Sequence, residues 1–394
     1  MVKNLSKHLL KSIIKIILEI QKIRRTLLHK IKNDCNSQKI KNILIYLSMG
    51  IGDIILFTPT LKIIKETFPH AQIALMTNMQ SSYINIFQGS GLIDEIIYFS
   101  RKSNILKKIR FIKKMRDKHF DLLINGFWTD DIYLALICVL CNIPCRAGYC
   151  SNDKWHGSYD FIYNIKVEMG ENEHEIDRGL RLAYALGAFE PSIEKKPAIF
   201  LEEKDELFAK EFFIENRLEK NDLIIGIQPG TATHQKWKRW ALEKYSELSS
   251  RLIKSHKAKI VIFGSRDELT LAENLKGMTK YEVVDSIGKT TIKEAAALIK
   301  RCNLFICNDS GLMHISAAVD TPVIAIYGPT DYRRTAPFGD IHTIIRKNIS
   351  CSPCFKPSKS EVAENCPYDY KCLDSVSVDE VFDVVSKKIR QLKM

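Results

Sequence analysis

The chain alternates between short runs rich in β-branched residues and longer amphipathic runs, in two successive halves of similar size. This alternation predicts βαβ units with parallel sheets, and therefore an α/β fold with two Rossmann-like domains. In the first half the predicted strands are "NILIYLS", "AQIALMT", "DEIIYF" and "FDLLING", and the predicted helices are 57–67, 103–118, 131–141 and 173–187. In the second half the predicted strands are "LIIGIQ", "KIVIFG", "EVVDS", "LFICND" and "PVIAIYG", and the predicted helices are 203–218, 241–255, 267–275, 291–300 and 311–319.

The length of 394 residues exceeds what one hydrophobic core usually serves, so two domains are expected. We expect a basic amphipathic helix at 1–38, an N-terminal Rossmann-like domain at 39–190, a linker at 191–206, and a C-terminal Rossmann-like domain at 207–394 that includes the cysteine-rich segment 351–372. Ligands of such sheets bind at the carboxyl ends of the strands. We therefore expect the two parallel sheets to face a central cleft that holds the functional site.

Positive charge is concentrated at the N-terminus. The net charge is +13 from 59 basic and 46 acidic residues. Residues 1–41 carry eleven Lys and Arg against two acids, a net of +9, so only +4 remains for the rest of the chain. A body this close to neutral argues against nucleic acid as a partner.

The N-terminal segment has the pattern of a basic amphipathic helix. Its apolar residues recur at spacings of three and four, namely Leu5, Leu9, Ile13, Ile16, Ile20, Ile23, Leu27 and Ile31. Such a helix fits an anionic membrane surface, contacted through residues 1–36, and equally a helix docked on the protein's own body. Lysines interrupt each apolar run, which excludes a secretory signal, and no run is long enough to cross a bilayer. The eleven cysteines fit a reducing cytoplasm better than a disulfide scaffold.

The first predicted strand ends in "SMGIGDII". Gly50 and Gly52 allow a backbone to approach a ligand closely, but Ile55 stands where a dinucleotide fingerprint requires its third glycine. This difference disfavours a nicotinamide cofactor. Asp53 at the strand-to-helix corner is either a helix N-cap or a catalytic carboxylate.

Two turns of the second half suit a nucleoside diphosphate. The turn after "IGIQPG" supplies hydroxyls and cations, which are Thr231, Thr233, Lys236, Lys238 and Arg239. The alternative is a basic surface loop. In "VIFGSRDE", Asp267 or Glu268 is placed to accept hydrogen bonds from ribose, or to cap the next helix.

The segment "LFICNDSGLMHISAAVDTPVIAIYGPTD" combines a buried strand, a turn and a helix rich in small residues. Amide groups at a helix N-terminus bind phosphate through unsatisfied N–H donors and the helix dipole. We therefore predict that Ser310, Gly311 and His314 face one anion. The alternative for His314 is a hydrogen-bonded histidine in the core.

These segments together resemble the signature regions of the ADP-heptose:lipopolysaccharide heptosyltransferases, glycosyltransferase family 9, and the resemblance covers residues 42 to about 390. It implies a GT-B fold and an inverting, metal-independent reaction that needs no cofactor. It also implies that Asp53 is the catalytic base and that Lys238, followed by Arg239, contacts the donor phosphates. The donor motif corresponds to Asp309, Ser310, Gly311 and His314, and the ribose-binding acid to Glu268, with Asp267 left open by the local spacing. Ala241 departs from the family pattern, which has proline there.

The resemblance implies transfer of a sugar, by default heptose from ADP-heptose, to the lipopolysaccharide inner core or a related lipid-linked glycan. The enzyme would then be cytoplasmic and peripheral at the inner face of the cytoplasmic membrane. Alternatives are another donor sugar, a nucleotide-sugar 2-epimerase of the same fold, a nicotinamide-dependent oxidoreductase and a non-catalytic nucleotide-sugar sensor.

The cysteine-rich tail is a departure from the best-known family members. Its pattern is Cys351-x2-Cys354-x11-Cys366-x5-Cys372. Four thiols near one another suit a structural zinc site or, with less support from the spacing, an iron-sulfur cluster. A regulatory disulfide and inert thiols are the alternatives.

Overall fold

The computed structural model describes residues 12–13, 16–20, 39–48, 50–78, 83, 85–127, 132–150, 159–170, 172–188, 195–355 and 360–392. The chain divides into two compact units. The first consists of Met1–Gly50 with Phe57–Lys195, and the second of Ile51–Leu56 with Lys196–Met394. The start of one helix is thus grouped with the second unit, although the rest of that helix belongs to the first. The boundaries expected from composition remain predictions.

The first unit is built on a six-stranded parallel sheet with the order β3-β2-β1-β4-β5-β6. The strands are β1 (Asn42–Tyr46), β2 (Gln72–Thr77), β3 (Glu95–Tyr98), β4 (Leu122–Asn125), β5 (Cys145–Cys150) and β6 (Ile165–Glu168). The helices are α1 (Ile51–Thr67), α2 (Ile105–Asp117), α3 (Ile132–Leu140) and α4 (Glu175–Ala185). On β1, Leu44 and Tyr46 join one buried cluster with Met115 of α2 and Leu134 of α3. Since alternate residues of a strand face opposite sides, α2 and α3 cover one face of this sheet.

The second unit contains a second six-stranded parallel sheet, with the order β12-β11-β10-β7-β8-β9. Its strands are β7 (Ile224–Gln228), β8 (Lys259–Ile262), β9 (Val284–Asp285), β10 (Leu304–Asn308), β11 (Val323–Tyr327) and β12 (Thr343–Arg346). Its helices are α5 (Glu203–Glu215), α6 (Leu242–His256), α7 (Leu269–Met278), α8 (Ile292–Lys300), α9 (Gly311–Ala318), α10 (Tyr332–Thr335), α11 (Ser360–Glu364), α12 (Lys371–Asp374) and α13 (Val378–Leu392). After β9 the chain crosses back and adds β10 beside β7. The strand order therefore reverses between β7 and β10, which is where open α/β sheets bind ligands.

The prediction of an α/β fold with two parallel Rossmann-like sheets, as in the GT-B class, is confirmed. Gly187 follows the C-cap residue of α4 and ends the helix with a φ of +92°. Seven of the described strands and α-helices were missed: β5, β6, β12, α10, α11, α12 and α13. Strand β5, "CRAGYC", contains an arginine and a glycine, which weaken a strand pattern. Helix α13 carries apolar residues at spacings of three and four, a signal that would have revealed it.

The predicted basic N-terminal helix lies mostly outside the described residues. Within them, residues 12–13 and 16–20 are helical. Ile17 and Leu18 pack against the cluster of the first unit, whereas Ile13, Ile16 and Ile20 of the predicted apolar stripe are 44 to 59% exposed. This part of the segment is therefore docked on the body and presents its apolar stripe outward. None of the described helices is long and apolar enough to cross a membrane.

Candidate functional site

The carboxyl ends of β7 and β10 meet at the point where the strand order of the second sheet reverses. The two strands are paired so that Cys307 lies opposite Gln228. The turns that follow them, Pro229–Gly230 and Asp309–Ser310, therefore start side by side. The sequence placed both turns in one site, and the structure brings them together within the second unit.

Asn308 at the end of β10 joins the two turns. It is fully buried, and its side-chain nitrogen donates to the carbonyl oxygen of Pro229 over 3.0 Å. Its side-chain oxygen accepts from the Trp240 backbone N–H over 2.9 Å and from the Tyr245 hydroxyl over 3.1 Å. Because one side chain satisfies donors and acceptors from three segments, Asn308 fixes the relative position of both turns.

Lys238 and Asp309 form the central ion pair of this corner. The Lys238 Nζ atom lies 2.9 Å from Asp309 Oδ2, and the two side chains are 12% and 8% exposed. Burial alone raises the pKa of the Asp309 carboxyl. The charge and hydrogen bond of Lys238 outweigh this effect, with help from His314 and Thr330, and the pKa falls below 3.8. Lysine has three donors, so Lys238 can keep this contact and still donate to a phosphate oxygen.

Two aromatic rings lie beside the Lys238 ammonium. Its Nζ atom is 5.4 Å from the centre of the Trp237 ring and 5.9 Å from that of Phe355. The two rings stack with centroids 4.9 Å apart. At such distances the rings attract the cation and limit its movement.

Arg239 is held next to this pair by the other half of the turn. Its Nε atom donates to the Thr231 hydroxyl over 3.1 Å, and a terminal nitrogen donates to the Thr231 carbonyl oxygen over 2.6 Å. That same terminal nitrogen lies 3.7 Å from Glu268 Oε1. Burial lowers the pKa of Arg239, and Glu268 opposes this shift. The basic-surface-loop alternative is therefore wrong for this part of the turn, because Thr231 and Glu268 are buried and Arg239 is bonded inward.

Glu268 and Asp267 differ in position. Asp267 is exposed, whereas Glu268 is buried. Glu268 Oε2 accepts from the Ser265 backbone N–H over 2.7 Å and so takes part in a capping box. Its other oxygen, Oε1, is buried with no hydrogen-bond partner among the described residues. A side chain at Gly230 would collide with this oxygen, which explains the glycine.

Helix α9 begins directly after the ion pair, and Ser310 is its N-cap residue. The Ser310 hydroxyl donates to Gln228 Oε1 and makes no side-chain cap bond. The cap hydroxyl therefore leaves the N–H groups of the first turn to another acceptor, as an anion site requires. Gly311 begins the helix, and His314 is buried one turn later.

Asp53 lies in the first turn of α1, two residues after the helix begins at Ile51. The N-cap interpretation is therefore wrong, although a carboxylate in the first turn still interacts favourably with the helix dipole. Gly52, which is grouped with the second unit, comes close to His314. A Cβ atom there would lie 2.6 Å from His314 Cδ2. The structure thus brings Gly52 next to a predicted donor residue, while Gly50 is exposed.

The cysteine-rich segment supports the loop that follows β11. The backbone N–H groups of Cys354 and Phe355 both donate to the Pro329 carbonyl oxygen over 2.9 Å. The Ser352 hydroxyl donates to the Gly328 carbonyl oxygen over 2.7 Å. The same loop continues to buried Thr330, one of the groups that lower the pKa of Asp309, and the segment itself contributes Phe355, whose ring lies beside Lys238. The segment is therefore linked structurally to the central ion pair.

The four predicted cysteines are free thiols that influence one another electrostatically. The pKa of Cys372 is raised to about 11, mainly by burial and also by Cys354, Cys366 and Cys351. Even so, in the part of the chain that the structure describes, no group of three or more His, Cys, Asp or Glu side chains is arranged to hold a metal ion. The present arrangement does not fit a zinc site. Elsewhere, Cys145 is disulfide-bonded.

Comparison with known proteins identifies the family. Residues 108–363 match the model of glycosyltransferase family 9 (heptosyltransferase). The chain belongs to this family. It is therefore a glycosyltransferase, and the resemblance inferred from its motifs is confirmed.

The similarity to individual members extends over nearly the whole chain. Lipooligosaccharide heptosyltransferase 2 of Campylobacter jejuni is 25% identical over 354 residues, which cover 88% of this chain and 98% of that protein. A family 9 glycosyltransferase structure from Veillonella parvula has a TM-score of 0.74 at 22% identity and covers 89% of this chain and 98% of its own. The E. coli ADP-heptose lipopolysaccharide heptosyltransferase II has a TM-score of 0.69 at 20% identity, with 90% and 100% covered. The two structures confirm the fold.

Sequence reasoning missed three contributors to this corner. The motif "LFICNDSG" includes Asn308, but the sequence did not reveal that this residue joins the two turns. The contacts of Gln228 and Phe355 were not predicted. An asparagine at the end of a buried strand is itself a signal, because a buried amide requires partners. Phe355 had no such signal, since its contact with Lys238 joins positions 117 residues apart.

Proposed function

We propose that this glycosyltransferase is an inverting, metal-independent heptosyltransferase that moves heptose from ADP-heptose to the lipopolysaccharide inner core or a related lipid-linked glycan. The observation that most supports this proposal is the buried Lys238–Asp309 ion pair. It lies where the strand order of the second sheet reverses, next to the N-terminus of α9, which has no side-chain cap. The names of the relatives from Campylobacter jejuni and E. coli support the choice of sugar and acceptor.

The donor's diphosphate is the group that this corner suits. Lys238 and Arg239 each have a carboxylate partner, at 2.9 and 3.7 Å, so attraction for phosphate comes from oriented donors more than from net charge. Lys238, the Ser310–Gly311 backbone and the α9 dipole would stabilise the negative charge that grows on the departing diphosphate. Since these donors are held in place before the reaction, they cost little reorganisation. His314, beside them, adds a further donor when protonated.

Glu268 is a better candidate than Asp267 to accept a hydrogen bond from the ribose. Its buried Oε1 atom has no hydrogen-bond partner among the described residues, and its other oxygen is fixed by the Ser265 backbone. A ribose hydroxyl that donates to Oε1 would satisfy it, whereas exposed Asp267 has no comparable orientation.

Asp53 is the proposed general base. It would take the proton of the acceptor hydroxyl as that oxygen attacks the anomeric carbon from the face opposite the diphosphate. The new C–O bond forms while the bond to the diphosphate oxygen breaks, which inverts the anomeric centre. Asp53 lies in the first turn of α1, next to Gly52 and thus near His314, and this position supports its role as the base.

A structural zinc ion at the four C-terminal cysteines is a separate proposal. The spacing of Cys351 and Cys354 and the mutual influence of the thiols support it, but the described arrangement does not hold a metal. Metal analysis of the purified, reduced protein tests it directly. Less than one equivalent of bound zinc would end the proposal without affecting the catalytic one.

We further propose that the enzyme works at the inner face of the cytoplasmic membrane, bound through residues 1–36. The outward-facing Ile13, Ile16 and Ile20 support this contact, because apolar side chains flanked by lysines suit an anionic bilayer. A location there would place the site near a lipid-linked acceptor.

A thermal-shift panel of nucleotide sugars tests the donor. A bound ligand raises the unfolding temperature by mass action, and ADP-heptose should give the largest shift. No shift with ADP-heptose, together with a shift from another nucleotide sugar, would overturn the heptose assignment and keep the enzyme class. The anomeric configuration of the product, read by NMR, tests inversion.

A further inference from the structure

We infer that helix α2 (Ile105–Asp117) is a second membrane-binding surface, which fits a bilayer of anionic lipid. This inference goes beyond the contact proposed for residues 1–36 and does not depend on the identity of the donor sugar. It rests on the side chains that α2 leaves exposed.

Helix α2 exposes apolar and basic side chains together. Leu106 and Ile109 are 62% and 58% exposed. Arg110 and Lys113, which follow at spacings of three and four on the same side, are also exposed. On the opposite side, Met115 is fully buried in the cluster of the first unit. One face of the helix therefore packs against the protein. The outer face combines exposed apolar side chains with cations.

The cations on this face are not neutralised by the protein. No described acidic side chain forms an ion pair with Lys107, Arg110, Lys113 or Lys114. The helix carries six basic residues and one acid. Its net charge of +5 exceeds the +4 of the whole chain beyond residue 41. Charge of this density attracts anionic headgroups over about a Debye length.

Helix α5 (Glu203–Glu215) provides the matched contrast. It also exposes two large apolar side chains, Leu207 at 52% and Ile214 at 66%. Its charged residues are mostly acidic, and Glu206 pairs with Lys300 and Arg301. Exposed apolar side chains on an acidic helix do not suit an anionic bilayer, so α5 is the internal control for α2.

The N-terminal segment and α2 are anchored on the same side of the first sheet. Ile17 and Leu18 pack against the buried cluster that also receives Phe111 and Ile112 of α2. Two basic surfaces on one compact unit can engage one bilayer together, and two weak contacts then bind much more tightly than either does alone.

The test uses the full chain and co-sedimentation with two kinds of vesicle, phosphatidylcholine alone and phosphatidylcholine mixed with phosphatidylglycerol. The variants are Leu106→Ser with Ile109→Ser, and Arg110→Gln with Lys113→Gln and Lys114→Gln. The controls are Leu207→Ser with Ile214→Ser, and the exposed lysine changes Lys210→Gln, Lys254→Gln and Lys259→Gln. Ile16→Ser with Ile20→Ser forms a separate arm for the N-terminal contact.

We expect wild-type protein to bind the anionic vesicles, less so as salt rises, and the α2 charge variant to bind at least about tenfold more weakly. The apolar α2 variant should also bind more weakly, and both controls should bind like wild type. Equal binding by wild type and the α2 variants would overturn the inference while leaving the N-terminal contact standing. Absence of wild-type binding to either vesicle would contradict both membrane contacts and point to an acidic protein partner instead.

Two further measurements keep these outcomes separate from folding and catalysis. Unchanged unfolding temperatures would show that the exposed substitutions leave the fold intact. Unchanged donor binding in the absence of vesicles would show that the donor site is unaffected, so failure of the catalytic proposal would be recognised independently.

Discussion

In each sheet one strand is joined to the next helix by a turn that carries an aspartate. The two turns differ in the charged residues that surround this aspartate. In the turn from β10 to α9, Asp309 is buried against Lys238, and Asn308 fixes the surrounding backbone. In the turn from β1 to α1, Asp53 is the only charged side chain between Lys41 and Lys62. The same topology thus supports one ionic corner with a buried ion pair, suited to an anion, and one corner whose own chain segment carries a single charged residue.

The largest expected effect is on catalysis, from the loss of Asp53 in the turn from β1 to α1. Asp53→Ala should lower kcat by about a hundredfold to ten-thousandfold, because the general base is lost. The donor dissociation constant should stay close to that of wild type. Steady-state kinetics and donor titration measure both quantities. Asp117→Ala removes an exposed acid that lies away from the proposed site, in the first unit, and should leave kcat unchanged. An active Asp53→Ala variant would show that the corner holds no base.

In the ionic corner, Lys238→Ala should weaken donor binding and lower kcat by about a hundredfold to a thousandfold, since one charge-stabilising donor is lost. It should also lower the unfolding temperature, because Asp309 is left buried without its cation. The matched control is Lys236→Ala, since Lys236 is exposed in the same turn. If the two variants bound donor equally well, the ion pair would have no role in donor recognition.

A smaller effect is expected from the aromatic contact. Phe355→Ala should weaken donor binding by roughly two- to thirtyfold, the range expected for a partly buried cation–π contact. Phe355→Tyr keeps the ring and should restore most of the affinity. Calorimetric titration with donor provides the comparison. Equal affinity in the Ala and Tyr variants would argue that the ring does not position Lys238.

The smallest effect concerns pH. The folded-state pKa of Asp309 lies below its ordinary value of 3.8. The stability that it contributes is therefore present above the ordinary pKa and is lost as pH falls through the lower folded-state pKa. Wild type should exceed Asp309→Asn by about 1.5–3 kcal/mol in free energy of unfolding near neutral pH. That difference should narrow at pH values below 3.8, and a constant difference across the acid range would refute the ion-pair account.

The sequence predicted the parts of this comparison that depend on local pattern. Strand ends and the residue types in each turn were visible, so Lys238 and Asp309 were predicted to lie in one site, and they form an ion pair. What it could not show were contacts between distant positions. Phe355 against Lys238, and Asn308 between two turns, arise only when parallel strands pair. The start of α1 at Ile51 was also hidden, because Gly50 and Gly52 suggested a longer turn, and this error produced the N-cap interpretation of Asp53.

The central claim is that the two corners divide the work, with donor binding in one and proton removal in the other. Calorimetric titration of ADP-heptose into Asp53→Asn, compared with Lys238→Ala and wild type, tests it most directly. The account predicts near wild-type affinity for Asp53→Asn and a large loss for Lys238→Ala. Equal losses in both variants, or a loss in Asp53→Asn alone, would contradict it.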